Sequence, residues 1–400
     1  MNSERKRRLL NLLDQFTIEL PSWGFADTGT RFGKFYQAGA AIDVFDKISD
    51  AAAVHRFTGC CPDMAVHVLW DFSDQAPAAR VVEAARAAGI RIGSINPNVF
   101  QDQEYKLGSV ANPDPAVRRQ AIEHLLESVA LGKETGSRSL SLWFADGTNY
   151  PGQARIRERK SFFETALREC HDALGPDQEL WIEYKPFEPA FYHTDIADWG
   201  MAYWFAKKAG DKARVLVDTG HHYAAQNIEQ IVAWLLDESM LGGFHFNDRR
   251  YADDDLTLGA IDPYQVFRIF AEIHQFEAGA VGNECRIAYM VDQSHNLKPK
   301  TEAMIQTAMM AQELYAKASL IDWDELQGFQ RSGQIVDAER VYQEAFRTDV
   351  TPALAEWRQA QGIAADPLQA FRESGYLDEQ SRKRMERRQK LGLQQSSSYA

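Results

Sequence analysis

The chain reads as short apolar runs, each ending in polar or glycine-rich sequence, with helix-length segments between them. Eight such runs stand out: Phe16–Trp23, Met64–Trp70, Ile90–Asn96, Ser139–Ala145, Leu180–Tyr184, Arg214–Val217, Gly242–Phe246 and Ala288–Val291. Continuous apolar runs of this length are what strands buried on both faces of a parallel sheet show. Between them, Pro115–Leu131, Ser161–Leu174, Asp195–Lys208 and Ile228–Leu236 carry apolar residues near helical spacing, and Lys300–Leu320 follows the last run. Strands alternating with helices make βαβ units of an α/β protein. Eight of them predict a closed (β/α)8 TIM barrel over residues 1–320, its N-terminal amphipathic helix included. A doubly wound open sheet is the alternative, but no strand here is followed by a G-x-G-x-x-G or Walker A loop. Beyond residue 320 the pattern changes. Residues 321–400 hold helical segments, including Ala338–Phe346 and Pro352–Gln359, and no strand-like run. This predicts a C-terminal helical extension whose last ~20 residues fray. The Arg/Lys run after Glu379 reads as a solvated helix face.

Charge and composition narrow the function classes. A formal net charge of −13 argues against nucleic acid as the main partner, which needs a basic face. No apolar stretch reaches the ~18 residues of a membrane span. The N-terminal MNSERKRRLLNLLDQF is interrupted at Asn11 and Asp14, so it is expected to be a helix rather than a signal peptide. The cysteines, Cys60, Cys61, Cys170 and Cys285, form no C-x-x-C pair, which points to a reduced, cytoplasmic setting.

In a parallel barrel, chemistry gathers at the carboxyl ends of the strands. The last four runs end in Glu183 and Lys185, Asp218 and His221, His245 with Asn247-Asp248, and Asp292 and His295. Asp253, Asp254 and Asp255 lie in the loop after the seventh run, and His67, Trp23, Trp143 and Asp146 lie at the ends of earlier ones. Singly, each has an ordinary reading. His67 could be a satisfied core histidine, Lys185 a snorkelling surface lysine, Trp23 and Trp143 core residues, and 253–255 an acidic loop. Together they do not, because several ionised carboxylates do not crowd into one mouth without compensating charge. Oxygen donors with one or two imidazoles favour Mn²⁺, Mg²⁺ or Co²⁺ over a thiolate zinc site. Asp218 and His221, three apart, can face one cavity, and Asp253 and Asp255, two apart in an extended loop, point the same way. These four could hold one ion, with Asp218 bridging to a second completed by Glu183, His245 and Asp292.

The motifs WIEYKPFEPAFY, LVDTGHH, GGFHFNDRRYADDD and MVDQSHN, with PSWG…GTRF and LWFADGTNYPGQ, resemble the L-rhamnose isomerase family of the Pseudomonas type, from about residue 20 to 375. The resemblance implies a barrel related to xylose isomerase, usually tetrameric. It implies two divalent ions, Mn²⁺ foremost, and interconversion of L-rhamnose and L-rhamnulose by hydride shift between C1 and C2. Glu183, Asp218, His245 and Asp292 match the ligands of the first, structural ion. Asp218, His221, Asp253 and Asp255 match those of the second, catalytic ion. Lys185, Asp292 and His67 become the catalytic candidates, and Trp23, Trp143, Glu183, Lys185, His221 and Phe32 the substrate-contacting ones. Phe32 falls where the family's first barrel loop reaches over a neighbouring subunit's site. The sequence departs from the family in the following loop, GKFYQAGAAIDVF, where substrate range is set. Two alternatives remain. A ketose 3-epimerase on the same barrel would use one metal and two opposed glutamates, whereas the last strand here offers Asp292. A non-catalytic, metal-stabilised sugar-binding protein would gain little from Lys185 beside Glu183.

Overall fold

The computed structural model of the chain describes residues 3–30, 33–187, 193–279 and 286–393. Its strands are β1 (Leu20–Pro21), β2 (Thr28–Thr30), β3 (Gly33–Phe35), β4 (Asp63–His67), β5 (Arg91–Asn96), β6 (Ser139–Leu142), β7 (Glu179–Glu183), β8 (Ala213–Asp218), β9 (Leu241–Phe246) and β10 (Ala288–Val291). β2 and β3 form a small antiparallel hairpin. The other eight run parallel in the order β1-β4-β5-β6-β7-β8-β9-β10. Glu19 closes the ring: its N–H donates to the Tyr289 carbonyl at 2.8 Å, and its carbonyl accepts from Val291 N at 2.9 Å. This is the (β/α)8 barrel that the alternating pattern predicts. Every residue of β6 and of β9 is buried, as strands covered on both faces are.

The helices start and stop on local chemistry. Pro115–Thr135 begins where the Asp114 carboxylate accepts from Ala116 N, with proline in the first turn, and ends at Gly136, whose φ of 75° suits glycine. The first two apolar runs, in contrast, overstate their strands. Pro21 has no N–H to extend the ladder, and the chain turns into a 3-10 helix, Ser22–Phe25, that carries Trp23. The second run stops at His67 and continues as a helical turn, Val68–Asp71. Asp71 stabilises both departures, accepting from His67 N at 2.8 Å and from Ser22 Oγ at 2.5 Å while paired with the buried Lys47.

After the barrel come helices Trp323–Arg331, Ile335–Arg347, Thr351–Ala360, Pro367–Glu373 and Tyr376–Lys390. Phe346 packs edge-on against Tyr264 and Phe267, while Leu354 and Trp357 join Leu9 and Leu13 of the N-terminal helix. The expectation of a frayed tail with a solvated basic face does not hold over Tyr376–Lys390. Arg384 is 2% exposed and donates to both carboxylate oxygens of the buried Asp50, at 2.8 and 3.0 Å. Arg387 pairs with Asp43 and Asp46, and Arg388 with Asp27 at 2.6 Å. Arg384, Arg387 and Arg388 face four aspartates brought together by the fold, while Arg382 and Lys383 stay on the exposed face of the helix. Among the described residues, no helix is long and apolar enough to cross a membrane.

Candidate metal centre

Strands β7 to β10 end side by side, and each delivers a donor to one spot. Glu183 and Asp218 are the last residues of β7 and β8, His245 lies opposite Asp218 on β9, and Asp292 directly follows β10. His245 Nδ1 is 3.4 Å from Glu183 Oε2, 3.7 Å from Asp218 Oδ2 and 3.7 Å from Asp292 Oδ2. Donors bonded to one ion at about 2.1 Å stand roughly 3–4 Å apart, so His245 lies at ligand spacing from each of the three carboxylates. Donor atoms of Glu183, Asp218 and His221 form one cluster and those of Asp218, His245 and Asp292 another, each within 4.8 Å. Asp218 belongs to both, as a bridging ligand would.

Neighbouring groups aim the donors. Asp218 Oδ1 accepts from Gly220 N at 2.7 Å and Asn247 Nδ2 at 3.0 Å, which leaves Oδ2 for the centre. Trp23 Nε1 donates to Asp292 Oδ1 at 2.8 Å, leaving Oδ2 on the side of His245. His221 Nδ1 lies 3.0 Å from the Tyr184 carbonyl and 3.1 Å from Glu183 Oε1. Two acceptors there place a proton on Nδ1 and turn Nε2 toward Asp253 Oδ1 at 3.3 Å and Asp218 Oδ2 at 3.9 Å. Gly220 is required by this crowding. A Cβ there would stand 2.7 Å from Asn247 Oδ1, 3.0 Å from Asp253 Oδ1 and 3.1 Å from Asp218 Oδ1.

The electrostatics fit a missing positive charge. Burial, and then Glu183, Asp253 and Asp292, push Asp218 up to about 7 against the pull of His221. Burial and the carboxylates of Asp253, Asp292 and Asp218 hold Asp255 well above the usual range. Burial opposes a charged His245, yet Glu183, Asp292 and Asp218 outweigh it and raise it to about 9. Burial is likewise overcome at Glu183 by His245 and His221, and at Asp253 by His221 and Lys185, so both stay below the ordinary range. The protein alone therefore balances five carboxylates with Lys185, charged imidazoles and extra protons. Asp218 Oδ2, both nitrogens of His245 and Asp253 Oδ1 are buried with no hydrogen-bond partner among the described residues. Such atoms are expensive to leave unpaired. Asp218 Oδ2, Asp253 Oδ1 and His245 Nδ1, the nitrogen that faces the carboxylates, belong to the donor set, and divalent cations would satisfy them.

Beside this centre lies an aromatic wall. Lys185, 8% exposed, is ion-paired with Asp253, and its Nζ sits 5.4 Å from the centre of the Trp143 ring. Trp143 meets Phe100 edge-on at 5.1 Å. His67 lies among Trp70 at 4.0 Å, Trp23 at 4.7 Å and Phe100 at 5.8 Å. Burial, reinforced by Lys47, pushes His67 down to about 3, so its imidazole is neutral. His67 Nδ1 and Trp143 Nε1 are buried without a hydrogen-bond partner among the described residues.

The structure thus brings Glu183, Asp218, His221, His245, Asp253 and Asp292 together, with Asp255 close enough to feel three of their carboxylates. Asp253 and Asp255 do not lie in the extended run that their spacing predicts: Asp255 has a φ of 45° and the loop turns there. Asp254 holds that turn by accepting from Arg250 N at 2.6 Å and Tyr251 N at 2.7 Å. Phe32 lies outside the described residues. Polar residues ending the earlier strands hold loops instead: Asp146 accepts from Ser109 and Ala111, and Asn98 from Leu69 N. The link from Trp23 to Asp292 and the place of Phe100 were missed. Phe100 had a signal, an aromatic just past a strand end like Trp143. The Trp23 bond had none, since its partners are 269 residues apart.

Fold and site together define a parallel barrel with an acidic, histidine-containing centre suited to divalent metal. The chain matches the xylose isomerase-like TIM barrel family over residues 53–303 and belongs to it. A probable sugar isomerase of Mesorhizobium japonicum is 41% identical over 370 residues, covering 91% of this chain and 85% of that protein. A probable sugar isomerase of Rhizobium meliloti is 40% identical over 366 residues, covering 90% and 84%. Among solved structures, a D-allulose 3-epimerase from Methylomonas sp. superposes with a TM-score of 0.53 at 13% identity, covering 75% of this chain and 98% of that one. That likeness shows the fold. The L-rhamnose type is narrower than the family these matches define.

Proposed function

We propose that the protein is a metal-dependent sugar isomerase that interconverts an aldose and its ketose, with L-rhamnose and L-rhamnulose as the preferred pair. The reading rests above all on the shared carboxylate. Asp218 Oδ2 has both His245 Nδ1 at 3.7 Å and His221 Nε2 at 3.9 Å within ligand spacing, which supports two cation positions sharing one oxygen. Its relatives of 41% and 40% identity carry the name of probable sugar isomerases, which supports the reaction class. A homo-oligomer, a tetramer by family resemblance, goes with this reading.

Glu183, Asp218, His245 and Asp292 would hold one divalent cation, and Asp218, His221, Asp253 and Asp255 the other, with Mn²⁺ preferred over Co²⁺ or Mg²⁺. When bound, such ions polarise sugar oxygens and acidify a water. The rest is done by the chain. The Lys185 ammonium, held on Asp253 in front of Trp143, stabilises charge developing on the carbonyl oxygen. Neutral His67 offers its unpartnered Nδ1 to a sugar oxygen as the ring opens. Trp23, Phe100 and Trp143 cover the sugar's C–H faces and keep bulk water off C1 and C2, which favours direct hydrogen transfer between the carbons over exchange with solvent.

The test is metal depletion and add-back. Chelator-stripped protein receives Mn²⁺, Co²⁺, Mg²⁺ or nothing, and ketose formation is followed from L-rhamnose, L-lyxose, L-mannose, D-allose and D-ribose. Metal-dependent formation of L-rhamnulose, fastest of the five, is expected. Faster turnover of another aldose overturns the substrate assignment. No aldose turnover, with C3 epimerisation of D-allulose instead, overturns the isomerase reading in favour of an epimerase.

A further inference from the structure

The loop after β8 carries His221, and the loop after β9 carries Asp253 and Asp255. One side chain ties the two loops together. Arg249 Nε donates to the carbonyl of Thr219 at 3.1 Å, Nη1 to that of His222 at 2.5 Å and Nη2 to that of Tyr223 at 3.2 Å. The three acceptors flank His221 on both sides. Arg249 is itself anchored. Its N–H donates to Asp248 Oδ1 at 3.0 Å, and Asp248 Oδ2 accepts from Ile261 N at 2.7 Å and Asp262 N at 3.0 Å. Thr219 is pinned from the other direction, since its Oγ1 accepts from Asn247 N at 3.0 Å. Tyr184 OH meets His222 Nε2 at 2.6 Å and holds the turn from the barrel side.

A guanidinium beside a cation centre works against cation binding, so its charge does not explain its place there. Its geometry does. Five N–H groups in a fixed fork can hold three carbonyls at set spacing, which a lysine ammonium cannot do. We propose that Arg249 is a positioning residue for the second cation: by clamping the carbonyls of Thr219, His222 and Tyr223 it fixes the turn that aims His221 Nε2 at Asp253. The first cation position draws Glu183, His245 and Asp292 from the ends of β7, β9 and β10 and shares only Asp218, whose carboxylate is held by Gly220 N and Asn247 Nδ2 rather than by Arg249. This inference rests on the two-cation reading of the site.

The experiment titrates chelator-stripped, full-length protein with Mn²⁺ by calorimetry and electron paramagnetic resonance, comparing wild type, Arg249→Met and Arg249→Lys. Wild type is expected to take up two ions. Arg249→Met weakens the second by about 10- to 100-fold, the range for lost ligand-orienting contacts, and leaves the first unchanged. Arg249→Lys recovers part of the loss. Charge alone predicts the opposite sign, so tighter or unchanged binding of the second ion in Arg249→Met overturns the proposal. Equal weakening of both ions also overturns it, since Arg249 would then support the fold at large. A wild-type protein that binds one ion fails the two-cation reading and the proposal together. Two ions bound alike by wild type and Arg249→Met fail the proposal alone.

Discussion

Replacing Arg384 by methionine tests the docking of the C-terminal helix. The guanidinium is 2% exposed and the Asp50 side chain 0%. Arg384 gives Asp50 hydrogen bonds of 2.8 and 3.0 Å, and Tyr376 OH adds one of 2.8 Å. Arg384→Met strands the Asp50 carboxylate in the interior with the phenol alone, a change that costs about 3–5 kcal/mol. With roughly 2.1 cal/mol/K of unfolding entropy per residue, 400 residues carry about 0.8 kcal/mol/K. The thermal midpoint should therefore fall by about 4–6 °C. Asp50→Leu in the same chain should return most of the loss, because a buried ion pair replaced by apolar side chains is near neutral. Calorimetric melts of wild type, both single variants and the double variant close the cycle and isolate the coupling between the two residues. An Arg384→Met midpoint within about 1 °C of wild type would refute the reasoning and restore a solvated, loosely attached tail.

Two further perturbations probe other levels of the structure. Trp23→Phe removes the 2.8 Å bond to Asp292 Oδ1 and should weaken the first ion by about 10- to 100-fold while sparing the second, the mirror image of Arg249→Met; calorimetric Mn²⁺ titration reads it, and unchanged affinity for the first ion contradicts it. Burial, and then Asp63, push the Glu19 carboxyl from 4.5 to about 7 at the foot of the barrel. The fold favours the neutral acid, so this contribution to stability is full below the unfolded value and is lost as pH rises through about 7. Because Glu19 is only partly buried by area, the loss should be about 1–3 kcal/mol between about pH 5 and 8. Denaturant midpoints across that range measure it, and Glu19→Gln should flatten the slope; a wild-type slope in the variant would contradict the assignment.

The barrel was legible because strands buried on both faces leave short apolar runs, and closing eight of them into a ring needs no other signal. The centre was legible for a related reason. Glu183, Asp218, His245 and Asp292 are polar residues at or just past the carboxyl ends of strands whose middles are apolar. What escaped depends on distant partners or on backbone acceptors. Arg384 looks solvated until the fold brings Asp50 to it across 334 residues. Arg249 binds carbonyls, which every residue has, so no residue type announces the clamp. Trp23 looked like a strand residue because apolar residues recur from Phe16 to Trp23, whereas Pro21 ends the ladder and the chain turns the indole toward Asp292. The aspartates of the 253–255 turn were matched to the right centre on a mistaken backbone shape, and the left-handed Asp255 was not readable from their spacing.

The most direct measurement follows deuterium. Mn²⁺-loaded protein is given L-rhamnose deuterated at C2, in ordinary water, and the product is read by NMR. An aldose–ketose isomerase with water-shielded transfer yields L-rhamnulose with the deuterium at C1. Ketose that has lost its deuterium to solvent contradicts the transfer, and the absence of any ketose contradicts the proposed function itself.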